Sequence, residues 1–135
     1  MNYKLFEFEI KGDDRGSLIS LEEKKNIPFE IKRVYYIFGT KTNISRGKHS
    51  HQNLQQMAIC VSGSCKFILD DGKTKETIIL NSPDKGLYIG QNMWREMYDF
   101  SSNCVLMVLA SDYYDEKEYI RDYKQFLLSL NNKIY

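Results

Sequence analysis

Two histidines stand two positions apart in the run "RGKHSH", and His49 and His51 are the only imidazoles in the chain. Imidazole ligates divalent metals and also exchanges protons around pH 6.5, so such a pair suits either task. In an extended strand, side chains two apart share a face. Both rings would then enter one cavity, whereas a lone histidine on an apolar face is more often a satisfied core residue. Arginines are the second group with chemical reach. In "EIKRVYYIF" the alternation of a strand puts Arg33 and Tyr35 on one face. Arg46 lies three residues before His49, and Arg15 sits in the turn "DDRGSL". A guanidinium fork matches phosphate oxygens two at a time. In a chain with 19 basic and 18 acidic residues and a net charge of +1, such a cluster points to an anionic ligand like a diphosphate. The competing use of each arginine is a surface ion pair.

The elements that must position these groups are short. Apolar runs such as "YKLFEFEI", "IKRVYYIF", "MAICV", "CKFIL", "ETIIL", "GLYIG" and "CVLMVLA" alternate with turn signals. Many short strands at this spacing indicate an all-β sandwich or barrel. "LDDGKTKET" reads as a hairpin, with Asp71-Gly72 tolerating the left-handed turn conformation. From Ser111 the pattern changes: Tyr119, Ile120, Tyr123, Phe126, Leu127 and Leu130 recur at three- and four-residue spacing. This predicts one amphipathic helix over about 112–130, started by Asp115 and Glu118 as a capping pair, on a β-body over about 1–110. At 135 residues the chain is expected to be a single domain, 1–135. Cys60, Cys65 and Cys104 lie in apolar runs with no C-x-x-C spacing, which predicts buried reduced thiols. The near-neutral charge gives no reason to expect nucleic acid or an anionic membrane as partner. With no leader-like start and no 18-residue apolar run, a cytoplasmic protein is expected.

The wider spacing carries a resemblance. His49-x-His51, then Gln56, then Gly63 is similar to the first signature of the cupin superfamily, and "GQNMWR", Gly90 to Arg95, resembles the second. In metal-binding cupins the positions of Gln56 and Arg95 hold a glutamate and a histidine. An amide is a weak neutral ligand, and a guanidinium has no lone pair to donate. The resemblance is therefore to a cupin, a jelly-roll β-sandwich, without metal. Two imidazoles without a metal are suited to moving protons next to a carbonyl.

Across about Asp13 to Phe126, "KGDDRGSLISLEEKKNIPFEIKRVYYIF", "RGKHSHQNLQQMAICVSG", "NSPDKGLYIG" and "LASDYYDEKEYIRDY" together resemble the nucleotide-sugar 3,4-ketoisomerases. That resemblance implies a homodimer acting on dTDP-4-keto-6-deoxy-D-glucose with no cofactor. The keto group would move from C-4 to C-3 through an enediol, feeding 3-amino-3,6-dideoxy sugars for surface glycans. It implies His51 as principal base and His49 as partner acid or shuttle. It also implies Arg33 and Arg46 on the diphosphate, Tyr35 lining the pocket, and Arg15 and Arg95 nearer the hexose. Two other readings keep the same pocket: a 3,5-epimerase of the same substrate, and a non-catalytic nucleotide-sugar-binding cupin.

Overall fold

The structure, a computed structural model, describes residues 1–131; residues 132–135 of the expected single-domain span lie outside the described residues. In chain order the strands are β1 (Tyr3–Glu7), β2 (Lys11–Asp13), β3 (Gly16–Leu18), β4 (Arg33–Ile37), β5 (Arg46–His51), β6 (Gln56–Ser62), β7 (Cys65–Asp70), β8 (Lys75–Leu80), β9 (Lys85–Ile89), β10 (Trp94–Tyr98), β11 (Val105–Ala110) and β12 (Tyr119–Ile120). One helix, α1 (Tyr123–Asn131), follows. The strands form two five-stranded sheets, ordered β1-β9-β6-β11-β4 and β12-β5-β10-β7-β8, with β2 and β3 as a separate hairpin. The all-β cupin-type sandwich with a C-terminal helix is thus the observed fold.

The faces of the two sheets meet over a core that includes Ala58, Phe67, Leu69, Leu80, Leu87, Ile89, Met97, Phe100, Leu106 and Val108. Strand β6 is buried without alternation, because the first sheet is covered twice. Ala58 and Cys60 face the second sheet, while Met57 and Ile59 pack under Ile27 and Phe29 of the 19–31 segment. A strand covered on both faces reads as a continuous apolar run. That segment is held by Asn26, whose side chain accepts from the Glu22 amide and donates to the Ser20 carbonyl, both at 2.7 Å. The amino-terminal strand β1, apolar enough to seek a sheet edge, finds it within the chain by pairing with β9, Tyr3 opposite Ile89. On the outer face of β4, Val34, Tyr36 and Phe38 remain exposed.

The carboxy-terminal segment departs from the helical pattern. The helix begins at Tyr123 instead of near 112, with the Asp122 carboxylate accepting from the Gln125 amide at its start. Asp115 does cap, but its carboxylate accepts from the Lys117 amide of a single 3-10 turn, Glu116–Glu118. Glu118 turns inward, its carboxylate accepting from the Asn53 amide and, at 2.8 Å, from the Leu54 amide. The chain then runs as β12 along β5, placing Tyr119 opposite His51 and Ile120 opposite Ser50. The open edge of β5 offers backbone partners that a continuing helix would leave unmet.

Where α1 docks, Phe126 is fully buried, its ring 5.9 Å from that of Trp94. Tyr123 donates its hydroxyl to the buried Asp70 carboxylate at 2.6 Å, which pushes the phenol up to about 12. The other Asp70 oxygen accepts from the Gly72 amide at 2.7 Å. Tyr123→Phe is expected to cost about 1.5–3 kcal/mol of stability, the usual worth of a hydrogen bond to a charged group. Urea unfolding would show this as a lower midpoint at unchanged slope; an unchanged midpoint would mean that the Gly72 amide alone satisfies Asp70.

Candidate active site

A cavity of about 420 Å³ opens between the two sheets, its wall made by Arg33, Tyr35 and Ile37 of β4, Arg46, Gly47 and His49 of β5, Met97 of β10, and Tyr114, Tyr119 and Arg121 of the carboxy-terminal segment. Alternation along β4 sends Arg33 and Tyr35 inward together, as the sequence pattern requires. Along β5, Arg46 and His49 are an odd number of residues apart and would face opposite ways in a regular strand. A β-bulge corrects this. Arg95 pairs with His49 but Glu96 pairs with Gly47, so Lys48 is the extra residue. Gly47 and Lys48 both have positive φ, +88° and +56°. A Cβ on Gly47 would lie 3.2 Å from the Arg95 carbonyl oxygen, so the position favours glycine on both conformation and space. The bulge turns Arg46 into the cavity that His49 lines.

The histidines and Tyr119 form a packed trio. Ring centroids of His49 and His51 are 4.8 Å apart, and Tyr119 lies 5.0 Å from the first and 4.4 Å from the second. His49 lies on the cavity wall, whereas His51 has no exposed surface and sits deeper, against Tyr119. Both ring nitrogens of His51 lack a hydrogen-bond partner among the described residues. Desolvation, followed by the nearby Arg95 charge, lowers His49 to about 4 and pushes His51 down further, so both rings are neutral at pH 7. The environment tunes them strongly, where spacing alone suggested imidazoles near their ordinary value.

Arg95 lies within β10, between His49 on β5 and Leu69 on β7. It is 2% exposed. Its guanidinium donates to Gln56 Oε1 at 2.6 Å and to the Met93 carbonyl at 3.1 Å, and burial lowers its pKa to about 10. Gln56 in turn donates from Nε2 to the Tyr35 hydroxyl at 3.1 Å. This chain of donors joins the two sheets beneath the cavity. The donor set does not fit a divalent cation: the one amide oxygen of Gln56 is already held by a fixed positive charge.

The remaining arginines divide by their partners. Arg15 lies outside the cavity, its side chain 90% exposed, folded back on Asp13 at 2.5 Å where the β2–β3 turn brings the two together. Arg121, which the helical reading of the tail concealed, does reach the wall. It is paired with Glu116 at 2.7 Å and lies over the Tyr119 ring at 4.4 Å. Arg33 and Arg46 have no carboxylate partner among the described residues; Arg33 instead lies 5.3 Å from the Tyr35 ring and 5.7 Å from that of Tyr114. Two guanidiniums free of ion pairs at one cavity wall are available to an anion. Tyr114, Tyr119 and Arg121 were hidden by the assumed helix, although Asp122, a favoured capping residue just before Tyr123, was a signal for the later start.

The neutral histidines also set a pH dependence. The unfolded chain binds protons on both rings near pH 6.5 while the folded chain does not until about pH 4 for His49 and lower for His51. Between those values the unfolded state holds more protons, so stability falls as pH drops from 6.5 to 5. Each ring contributes a limiting slope of about 1.4 kcal/mol per pH unit. Thermal midpoints at pH 7, 6 and 5 should fall accordingly, and His51→Asn should fall less. A flat profile would mean that the rings are solvated and charged in the fold.

Comparison with known proteins was made on this geometry. The family described as "FdtA: WxcM-like, C-terminal" matches residues 1–131. The TDP-4-oxo-6-deoxy-alpha-D-glucose-3,4-oxoisomerase of Aneurinibacillus thermoaerophilus is 57% identical over 126 residues, covering 93% of this chain and 91% of that protein. A 3,4-ketoisomerase from Helicobacter canadensis superposes with a TM-score of 0.95 at 56% identity, covering 97% of this chain and 98% of its own. A mutant 3,4-ketoisomerase from Thermoanaerobacterium thermosaccharolyticum, in complex with TDP-4-keto-6-deoxyglucose, gives a TM-score of 0.95 at 46% identity, covering 98% and 96%. With a family match over residues 1–131, 57% identity to a curated 3,4-oxoisomerase and a TM-score of 0.95 to a solved 3,4-ketoisomerase, the chain belongs to the FdtA family of sugar 3,4-ketoisomerases.

Proposed function

We propose that this protein converts dTDP-4-keto-6-deoxy-D-glucose to the 3-keto-6-deoxyhexose, without metal or cofactor. The observation that carries the reading is the pair of neutral imidazoles beside the buried Arg95 cation, at a cavity that also holds the unpaired Arg33 and Arg46. The reaction relocates two protons. One leaves carbon C-3 and one reaches carbon C-4, while the C-3 hydroxyl loses its proton and the C-4 oxygen gains one. A neutral imidazole accepts the C-3 proton, and the enediolate that forms carries negative charge on the former C-4 carbonyl oxygen. Arg95, cationic and preorganised, favours that charge. Protonation at C-4 and loss of the C-3 hydroxyl proton complete the transfer, and two adjacent rings allow one to serve carbon while the other serves oxygen. Arg33 and Arg46 hold the diphosphate and Tyr35 lines the sugar side.

Incubation with dTDP-4-keto-6-deoxyglucose in deuterated water is expected to give the 3-keto product by NMR, with deuterium at C-4 and none at C-5. Exchange at C-5 would instead make the protein a 3,5-epimerase. Bound but unconverted substrate would make it a nucleotide-sugar-binding module.

A homodimer and a cytoplasmic location complete the proposal. The exposed Val34, Tyr36 and Phe38, together with an apolar groove lined by Ile10, Leu18, Ile19, Val61 and Met107, offer a second copy a surface to cover. Light scattering should give twice the mass of one chain, and a monomer would refute the assembly.

A further inference from the structure

A buried imidazole is usually oriented by a hydrogen bond from its second nitrogen, and that bond also fixes which nitrogen carries the proton. His51 has no such bond. Neither of its nitrogens, nor Nδ1 of His49, has a hydrogen-bond partner among the described residues. The torsion that turns a histidine ring about its Cβ–Cγ bond has only a broad preference of its own. Packing must therefore hold these rings.

Tyr119 packs against both. Its ring centroid lies 5.0 Å from that of His49 and 4.4 Å from that of His51, with the planes inclined at 57° and 69°. The two imidazoles meet each other at 74°, so each of the three rings is braced by the other two. Inclined contacts at this range are favoured between aromatic rings and resist their rotation.

The backbone holds Tyr119 there without help from its side chain. Tyr119 stands opposite His51 in the β12–β5 pair, and a slip of one residue would turn its ring to the other face of the sheet. Neighbouring bonds pin the register. The Gln52 amide donates to the Glu118 carbonyl at 3.3 Å, Gln52 Nε2 to the Lys117 carbonyl at 3.1 Å, and the Leu54 amide to the Glu118 carboxylate at 2.8 Å. Arg121, anchored by Glu116 at 2.7 Å, adds a cation–π contact over the Tyr119 ring.

We propose that Tyr119 is a positioning residue for the keto transfer: its ring, in place of a hydrogen-bonded neighbour, fixes the planes of His49 and His51 and keeps water from them. The role rests on the reading of the two histidines as the proton-transfer groups. A packed ring orients an imidazole without choosing its tautomer, which suits rings that must both accept and donate protons. Burial, to which Tyr119 contributes, is the largest cause that lowers both imidazoles, followed by Arg95 of β10. The other groups facing them are Arg33 and Tyr35 of β4, the Gly47 carbonyl of β5, and Arg121 and Glu116 of the carboxy-terminal segment.

The test compares Tyr119→Leu with Tyr119→Phe, first without substrate. The chain has only two imidazoles, so NMR can follow each through a pH titration. In Tyr119→Leu, His49 should titrate above its present value of about 4, toward 6.5, and His51 should move the same way. Turnover of dTDP-4-keto-6-deoxyglucose should lose about 10- to 100-fold in kcat, the scale of removing an orienting neighbour, with KM little changed. The acid limb of kcat should move to higher pH. Tyr119→Phe, which keeps the ring, should recover most of kcat and the wild-type titration. Should Tyr119→Leu not fold, Tyr119→Met takes its place, since its flexible chain fills the space without a flat face. Unmoved titrations, a KM that rises at unchanged kcat, or a Tyr119→Phe as slow as Tyr119→Leu would overturn the assignment. An unmoved titration beside normal wild-type turnover counts against Tyr119 alone, whereas a moved one beside absent turnover counts against the keto transfer.

Discussion

His51→Asn is expected to slow the conversion of dTDP-4-keto-6-deoxyglucose by at least about 100-fold, the lower range for a positioned general base, while the protein stays folded. The basis is the environment of the ring. His51 is completely buried and neither nitrogen has a hydrogen-bond partner among the described residues, so the imidazole adds no hydrogen bond to the fold they form. A buried polar group without a partner costs stability. Its place directly behind the cavity wall, against His49 and Tyr119, makes sense if substrate supplies the missing partners. Asparagine, smaller and without a basic ring nitrogen, removes the proton chemistry and leaves Arg33 and Arg46 untouched. The expected pattern is therefore a collapsed kcat with TDP binding retained, read by NMR turnover and calorimetry. A variant that turns over at the wild-type rate would remove His51 from the mechanism and leave His49, which fronts the cavity, as the sole candidate.

The second large effect is expected at Arg95. Arg95→Met keeps an unbranched, though shorter, side chain and deletes a cation that has no carboxylate partner among the described residues. Burying an ion costs several kcal/mol unless something compensates it. Among the described residues the guanidinium donates to the Gln56 amide oxygen and the Met93 carbonyl, both uncharged. An enediolate forming beside it would supply the charge that the ground state lacks, which is the arrangement that lowers a barrier without tightening substrate binding. Loss of about 100- to 1000-fold in kcat is expected, the scale of removing one preorganised donor to an oxyanion. His49 should also titrate above its present value of about 4, since Arg95 is the second cause of that depression. It should remain below 6.5, because burial, the larger cause, persists. Unchanged turnover, or a His49 that does not move, would separate Arg95 from the chemistry.

Much of the fold was legible because strand periodicity is local. The alternation in "KRVYYIF" places Arg33 and Tyr35 in the cavity and Tyr36 outside it, and the two-residue spacing puts both histidines on one face. What stayed hidden depends on tertiary competition. Tyr119 and Arg121 fit a helical period as well as any residue in the tail, and only the open edge of β5 draws them into a strand. Arg15 looked like part of an arginine cluster, but Asp13 two residues earlier captures it. Cys104 gave no sign of meeting Cys60 and Cys65 in the core, because that contact depends on how the turn at Ser101 lies against the β6–β7 connection.

The extra residue in β5 has a consequence for how this pocket can be altered. Gly47 and Lys48 act as a phase shifter: upstream of them the strand deals its side chains in one parity, downstream in the other. In the proposed function, anion recognition through Arg46 and proton chemistry through His49 and His51 are therefore independent settings on one strand. Removing a single residue at 48 would reverse the side chains before it while sparing those after it. The ligand's charged end could be changed in this way without rebuilding the reactive end.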